Sequence, residues 1–542
     1  MCVDLILIGG RIWTENPQQP EAEALAISGK RVTHIGRSSE LLKLRGPRTR
    51  VVELNNRLAV PGFNDAHVHF YIGGASLRGV QLRTANTPAE FRRRIADFVR
   101  AKPANEWILF GQWDPEDWSP AQLPSHSLID DVSRDNPVFV IRVDGHTSLA
   151  NAVAMKLAGV NKDTPDVPGG EIQRDAAGNP TGIFKDSARN LIARVIPPPS
   201  IEQMVHGLSA AQDHAIQHGV TSVQDMGLLG VEAMSSSPDL LRAYQRLLHR
   251  RELKVRVSLH VPLPAWRRLA DLGITAGFGN HRFHIGAVKG FADGSLGSTT
   301  AWFFDPYNDA PQTHGLSSDE LCDEAAMYSN MVESDRAGLQ LAIHAIGDRA
   351  NNTVLNLFER LERECGARGR RLRIEHAQHL TPADIPRFAR QRVIASVQPY
   401  HLLEDGCWAN RRIGMERARH SWALRSLLDS GAMLAFGSDW WVAPINPLLT
   451  IYAAVTRCTR DGKHPDGWIP EEKISVLEAV HAYTAGSAYA SGEDQVKGSL
   501  EPGKLADIAV LSEDIFRINP NDIQHVKVDV TILDGEVVYE RR

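Results

Sequence analysis

The chain has 542 residues, a formal net charge of −5, 43% hydrophobic and 23% charged residues. This is the composition of a water-soluble globular protein, and the length is too great for one ordinary core but enough for a barrel with accessories. The basic residues are scattered, which excludes a nucleic-acid footprint and gives no patch for an anionic membrane, and no run of about 18 apolar residues is available to span one.

The first 60 residues read as short strands. LILIGGRIW, ALAISGKRVTHIG and TRVVELNNRLAV alternate apolar residues with Gly, Asn and Pro punctuation. The opening segment carries no basic stretch ahead of its short apolar run, so no signal peptide is expected there. The five cysteines (Cys2, Cys322, Cys365, Cys407, Cys458) stand apart with no CxxC pair, which reads as reduced thiols in a cytoplasmic setting.

Strand-like and helix-like runs then alternate. Eight strands are expected, at AVPGFNDAHVHF, GVTSVQDMG, LKVRVSLHV, FHIGAVKGFADG, LQLAIHAIGD, RLRIEHAQ, VIASVQPY and MLAFGSDW. Amphipathic runs such as TVLNLFERLEREC and HSWALRSLLDSGA fill the gaps, and eight β/α units in series are what a closed barrel requires. The stretch after Phe70 is far longer than one crossover helix. It holds its own strands (EWILFGQWD, PVFVIRV) and a helix (AEFRRRIADFVRA), so it reads as an inserted α/β subdomain. GKLADIAVLSED and VKVDVTILDGEVVYE close the chain as strands, the second around an Asp-Gly turn. The expected fold is therefore α/β: a (β/α)₈ TIM-like barrel over 59–72 and 216–491, a small β-sandwich from 1–58 and 492–542, and an insert over 73–215.

His67 and His69 stand two apart at the end of the first barrel strand, so both imidazoles face one side, which at the C-terminal mouth of a barrel is the active-site cavity. A lone HxH means little. Here strand five also ends in His344, strand six in His376 and strand eight in Asp439, while strand four carries Lys289, costly to bury unless paired. Each alone has a structural explanation, such as a histidine bonding a carbonyl or an aspartate capping a helix. Five such coincidences on one barrel mouth point to a metal centre.

HVH after PGFNDA, then Lys289, His344, His376 and Asp439, match in order the binuclear metal pattern of the amidohydrolase superfamily. KGFADGSLGSTTAW, HAIGDRAN, RIEHAQ, SVQP and GSDWWV, with GQWD, DGHTSLAN and GNPTGIFKDSA in the insert, resemble its YtcJ-like branch, which includes N-substituted formamide deformylases. The resemblance spans nearly the whole chain. It implies His67, His69 and Asp439 on a buried metal, His344 and His376 on an outer one, and Lys289 bridging both as a carbamate. Two divalent ions, of which zinc suits the ligands best, would then share a hydroxide that attacks the substrate. Asp439 would carry the proton to the leaving nitrogen, and the outer metal would polarise the carbonyl. Trp441 stands where relatives often have Pro.

The implied activity is cleavage of an amide- or formamide-type C–N bond in a small molecule. A lactonase, esterase or cyclic imide hydrolase could use the same site. A deaminase is disfavoured, because its relatives place a glutamate just after the strand-six histidine, and here Ala377, Gln378 and His379 follow His376. A non-catalytic binding protein is disfavoured by the complete ligand set. The partners expected are a small substrate and a second copy in a homodimer, with neither nucleic acid nor membrane.

Substrate contacts are expected from Trp302 and Phe303 after strand four, Gln398, His401 and Trp408 after strand seven, Trp440 and Trp441 after strand eight, and Trp113 in the insert. Aromatic βα-loops favour a neutral substrate with a bulky apolar arm, although such rings also serve to pack loops together, and Gln398 could equally cap a turn. Asp293 and Gly294 are expected to fix the Lys289 loop, and Asp348 with Arg349 to form a local ion pair or orient His344. Asp144 and His146 read more readily as a solvated loop pair than as cavity groups.

Overall fold

The computed structural model describes residues 3–116, 118–228 and 231–542, with side chains omitted for 231–237; Cys2 lies outside the described residues. A parallel sheet of eight strands is at its centre: β1 Phe63–Val68, β2 Val220–Asp225, β3 Arg256–Pro262, β4 Phe283–Phe291, β5 Gln340–Ala345, β6 Arg373–His376, β7 Ile394–Val397 and β8 Leu434–Phe436. Each of the eight expected strands is found, and neighbours in sequence are neighbours in the sheet. Strands β1, β2, β5, β6, β7 and β8 are almost wholly buried, as parallel strands are when packed on both faces.

Closure happens at the mouth. Val68 bridges Trp440 in parallel, the His69 N–H donates to Trp440 O at 2.6 Å, and the Asp439 N–H donates to His67 O at 2.7 Å. So the bonds that join the first strand to the last belong to the suspected ligand residues themselves. Gly437 makes the approach possible: a Cβ there would lie 2.5 Å from the His67 nitrogen.

Both chain ends contribute to one six-stranded sheet, in which Leu58–Pro61 lies between Arg11–Trp13 and Ile508–Leu511. A four-stranded sheet of N-terminal strands packs on it through a shared core that includes Leu5, Leu25, Ile27, Ile508 and Ile532. The Asp-Gly turn is where expected: Asp534 (φ 53) and Gly535 (φ 76) join Val528–Leu533 to Glu536–Glu540. These sheets dock on the bottom of the barrel, where the Arg256 Nη2 at the start of β3 donates to Asp507 at 2.8 Å.

Between β1 and β2 lies a separate five-stranded mixed sheet, order Gly170–Arg174, Pro180–Asp186, Thr147–Ala150, Val138–Arg142, Ile108–Trp113. Helix α1 (Pro88–Arg100) covers one face through Phe91 and Ile95, starting at a Thr87 cap with Pro88 in its first turn. Among the described residues no helix is long and apolar enough to cross a membrane.

Candidate metal centre

His67, His376 and Asp439 present ligand atoms within 4.8 Å of one another, all buried. His69 and His344 complete the cluster: the His69 Nε2 is 3.6 Å from Asp439 Oδ1, and the His344 and His376 ring centroids are 4.5 Å apart. Lys289, on β4, is buried and lines the same cavity. The six residues expected as ligands therefore converge from β1, β4, β5, β6 and the end of β8.

Outer nitrogens are already spent. The His67 Nδ1–H donates to Glu375 Oε2 at 2.7 Å and His69 Nδ1 faces Gly227 O at 3.3 Å, so both rings aim Nε2 at Asp439 Oδ1, from 3.5 and 3.6 Å. His344 Nε2 donates to Gly294 O at 3.0 Å, which leaves Nδ1 as its lone-pair nitrogen. Fixing the tautomer through the outer nitrogen is how metal-ligating imidazoles are oriented. Asp439 Oδ1 and His376 Nδ1 are buried with no hydrogen-bond partner. Two lone pairs facing an unpartnered carboxylate oxygen repel one another unless a cation lies between them. The donor set fits a divalent metal, and imidazole with carboxylate suits zinc among others.

The backbone is strained at these positions. His376 (φ 72), Ala377 (φ 43) and Asp439 (φ 57) occupy the left-handed region without being glycine, a cost of order 1–3 kcal/mol each that is typical of functional sites. Burial opposes the charge on Asp439, but His67, His401 and His69 hold its carboxyl well below the usual range. For Lys289 burial is the dominant cause, and it lowers the amine to about 8.

A layer of residues, of which the sequence reading singled out Asp293 but not Glu375, Asp65 or Asp225, holds these side chains. Glu375 accepts from His67 and pairs with Arg373 at 2.5 Å inside the barrel; burial opposes its charge, yet Arg373 and His67 hold it well below the carboxylate range. Asp65 accepts from the Ser438 N–H at 2.9 Å and the His67 N–H at 3.2 Å, tying β1 to the β8 loop, and burial pushes it up to about 7. Asp225 does the same for the turn after β1, accepting from the Phe70 N–H at 3.0 Å and from Tyr244 at 2.6 Å. Asp293 accepts from the N–H groups of Ile346, Gly347 and Trp302, at 2.9, 2.7 and 2.8 Å, so it does fix the loop after Lys289 and the one after His344 together.

Glu375→Gln tests this layer. It removes the anionic acceptor from His67 and leaves Arg373 buried without its counter-charge. Metal affinity is expected to fall by about 10–100-fold, and the fold to lose about 3–5 kcal/mol. Competition with a chelator and thermal unfolding of the loaded protein read the two effects; unchanged affinity would remove Glu375 from the site.

A cavity of about 1200 Å³ opens from the cluster, lined by His67, His69, Lys289, His344, His376 and Asp439 at one end. Of the residues expected to touch substrate, Trp441 lines it, buried with its indole N–H unpartnered. The others are placed elsewhere. Trp113 lies in the core of the insert and donates to Val140 O at 3.0 Å. Trp302 lies under the Arg349 guanidinium, 4.2 Å from the ring centre, and Phe303 packs between Tyr307 and His379. Trp440 stacks against Phe70 and His214 in a space kept open by Gly73. Gln398 donates to Ser396 O at 2.9 Å, and His401 reaches Asp439 Oδ2 with Nε2 at 3.3 Å.

Two local expectations are corrected. Asp348 accepts from the Phe304 N–H at 2.9 Å while Arg349 stacks on Trp302, so each is engaged by the loop after β4 rather than by the other. Asp144 and His146 are not a solvated loop pair: both line the cavity, and the His146 ring centroid is 5.3 Å from that of His344.

Comparison with known proteins agrees with this geometry. The amidohydrolase family model matches residues 50–539. Protein LONG AFTER FAR-RED 3 of Arabidopsis thaliana is 39% identical over 99% of this chain and 91% of its own length. The putative amidohydrolase YtcJ of Bacillus subtilis is 30% identical over 98% and 99%, and the N-substituted formamide deformylase of Arthrobacter pascens 26% identical over 99% and 98%. An uncharacterized metal-dependent hydrolase from Pyrococcus horikoshii superposes with a TM-score of 0.76 at 29% identity, covering 95% of this chain and 99% of that one. Matches of such length leave one placement: the chain belongs to the amidohydrolase family, in company with YtcJ and the formamide deformylase.

Proposed function

We propose that the protein is a metal-dependent amidohydrolase that cleaves an amide- or formamide-type C–N bond in a small substrate with an apolar or aromatic arm. The reading rests above all on Asp439 Oδ1, buried without a partner opposite two tautomer-fixed imidazoles. His67, His69 and Asp439 would hold one divalent ion and His344 with His376 a second, with carboxylated Lys289 between them. When bound, such ions supply Lewis acidity and an acidified water.

The side chains do the rest. Asp439 has two differently placed oxygens: Oδ1 faces the ligand imidazoles, and Oδ2 is held by His401 Nε2 at 3.3 Å. A carboxylate so placed takes the proton from the attacking water and returns it to the leaving nitrogen, which an amine needs in order to depart. The arm would lie along the insert, where Phe98, Leu109, Phe110 and Ile141 are half-buried in the cavity wall, with Tyr71 and Trp441 nearer the metal end. Apolar area buried there contributes about 25 cal/mol per Å². The resemblance to a deformylase supports the bond type.

The test is a matched series of N-formyl and N-acyl amines, cyclic imides and lactones given to metal-replete protein. Amides and formamides with aromatic arms are expected to turn over best, and Ile141→Ser to cost about tenfold in kcat/KM on those members, in the range of a small apolar deletion. Preference for small or anionic members would overturn the arm, and preference for lactones would replace the bond.

A further inference from the structure

The insert carries a histidine–aspartate pair to the edge of the metal cluster, and no step above uses it. His146 Nδ1 lies 2.5 Å from Asp186 Oδ1, both line the cavity, and the His146 ring is tilted 51° against His344 at 5.3 Å between centroids. The pair is built, not incidental. Asp144 accepts from the His146 and Thr147 N–H groups, each at 2.9 Å, and the Asp186 N–H donates to His146 O at 2.8 Å. Arg142, buried, donates to Gly297 O at 2.6 Å and so ties the run to the loop after β4. Asp186 is held at a φ of 44, and its Oδ2 is buried without a partner. At Gly294, in the Lys289 loop, a Cβ would come within 2.8 Å of Asp186 Oδ1, so the carboxylate is wedged against that loop.

We propose that His146 is a specificity-determining substrate contact: oriented by Asp186, it accepts a hydrogen bond at Nε2 from an N–H borne by the scissile nitrogen. The inference rests on the amidohydrolase reading and narrows its substrates to amides and formamides that keep an N–H on the scissile nitrogen. With Nδ1–H given to Asp186, the neutral ring presents a lone pair at Nε2, and the complementary ligand group is a donor. Tertiary amides and esters have no proton there. A site built to bond an N–H discriminates strongly against an analogue lacking it, because its buried acceptor is then left unpaired.

Two measurements on metal-replete protein test this. In the first, each secondary amide or formamide is compared with its N-methyl analogue. The wild type is expected to favour the N–H member by about 10²-fold in kcat/KM. His146→Ala should lower that ratio at least tenfold with unchanged metal content, and His146→Gln, which keeps an acceptor, should recover part of it. In the second, the cobalt(II)-loaded protein is titrated with benzohydroxamic acid and with its N-methyl analogue, read by visible absorbance. A roughly tenfold preference for the N–H form in the wild type, absent in His146→Ala, supports the contact even where no amide is turned over, which is the result that would reject the hydrolase reading alone. The same ratio in wild type and His146→Ala, in either measurement, overturns the role of His146.

Discussion

Lys289→Ala is expected to remove metal and activity together. The amine is buried at the end of β4 among His67, His69, His344 and His376, with Glu375 and Asp439 near enough to act on its charge. A lysine there is poorly placed as a free ammonium, since desolvation dominates its environment. Addition of CO₂, as proposed above, would resolve the difficulty: Nζ would form a bond to the carbon, a proton would leave, and the side chain would end in two oxygens sharing one negative charge and able to serve both ions. Elemental analysis should then fall from close to two divalent ions per wild-type chain to one or none in the variant. Loss of several kcal/mol of charge stabilisation corresponds to a rate decrease of roughly 10³-fold. Short carboxylates added in solution should restore part of both, because they return the missing oxygens. A variant with full metal and full rate would eliminate the bridge.

Much of this site was legible because strand geometry is local. A period of two puts His67 and His69 on one face whatever the rest of the fold does, and polar residues at the ends of eight successive β/α units can only meet at the mouth of the barrel. What holds the ligands was not legible for the converse reason. Glu375 stands between Ile374 and His376 like any strand residue; its role depends on Arg373, whose other partners include Ala66 and Gln224, 307 and 149 residues away. No pattern within a strand encodes those meetings. The aromatics show a related limit. Trp302, Phe303 and Trp440 follow strands as pocket residues do, but large rings also bury the most area when loops pack on one another, and in this structure they lie in that packing. Leu109 and Ile141, in contrast, look in sequence like the core of an ordinary strand. Only the placement of the insert over the mouth turns their face into a cavity wall. His146 has the same history: a loop histidine until the insert is docked.

Asp439→Asn is the second change with a large expected effect, and its two oxygens make the outcome readable. The substitution keeps the volume, and an amide oxygen can still occupy the place of Oδ1 opposite His67 and His69 Nε2, 3.5 and 3.6 Å away. It cannot accept and hand on a proton, and an NH₂ group in place of Oδ2 would face His401 Nε2, 3.3 Å away, which must then turn its lone pair inward. Loss of general acid–base help alone lowers kcat by roughly 10²–10⁴-fold. Weaker metal binding would add to this, so metal content has to be measured on the same sample and the rate expressed per loaded site. The substrate series separates the two causes. A lost proton donor penalises poor leaving groups most, so the Asn variant should retain more of its rate on amides of acidic anilines than on those of alkylamines, whereas metal loss lowers all members alike. An Asn variant with normal metal, near-normal turnover and the wild-type dependence on leaving group would exclude Asp439 as the proton carrier and turn attention to His401, the other titratable group in hydrogen-bond reach of that carboxylate.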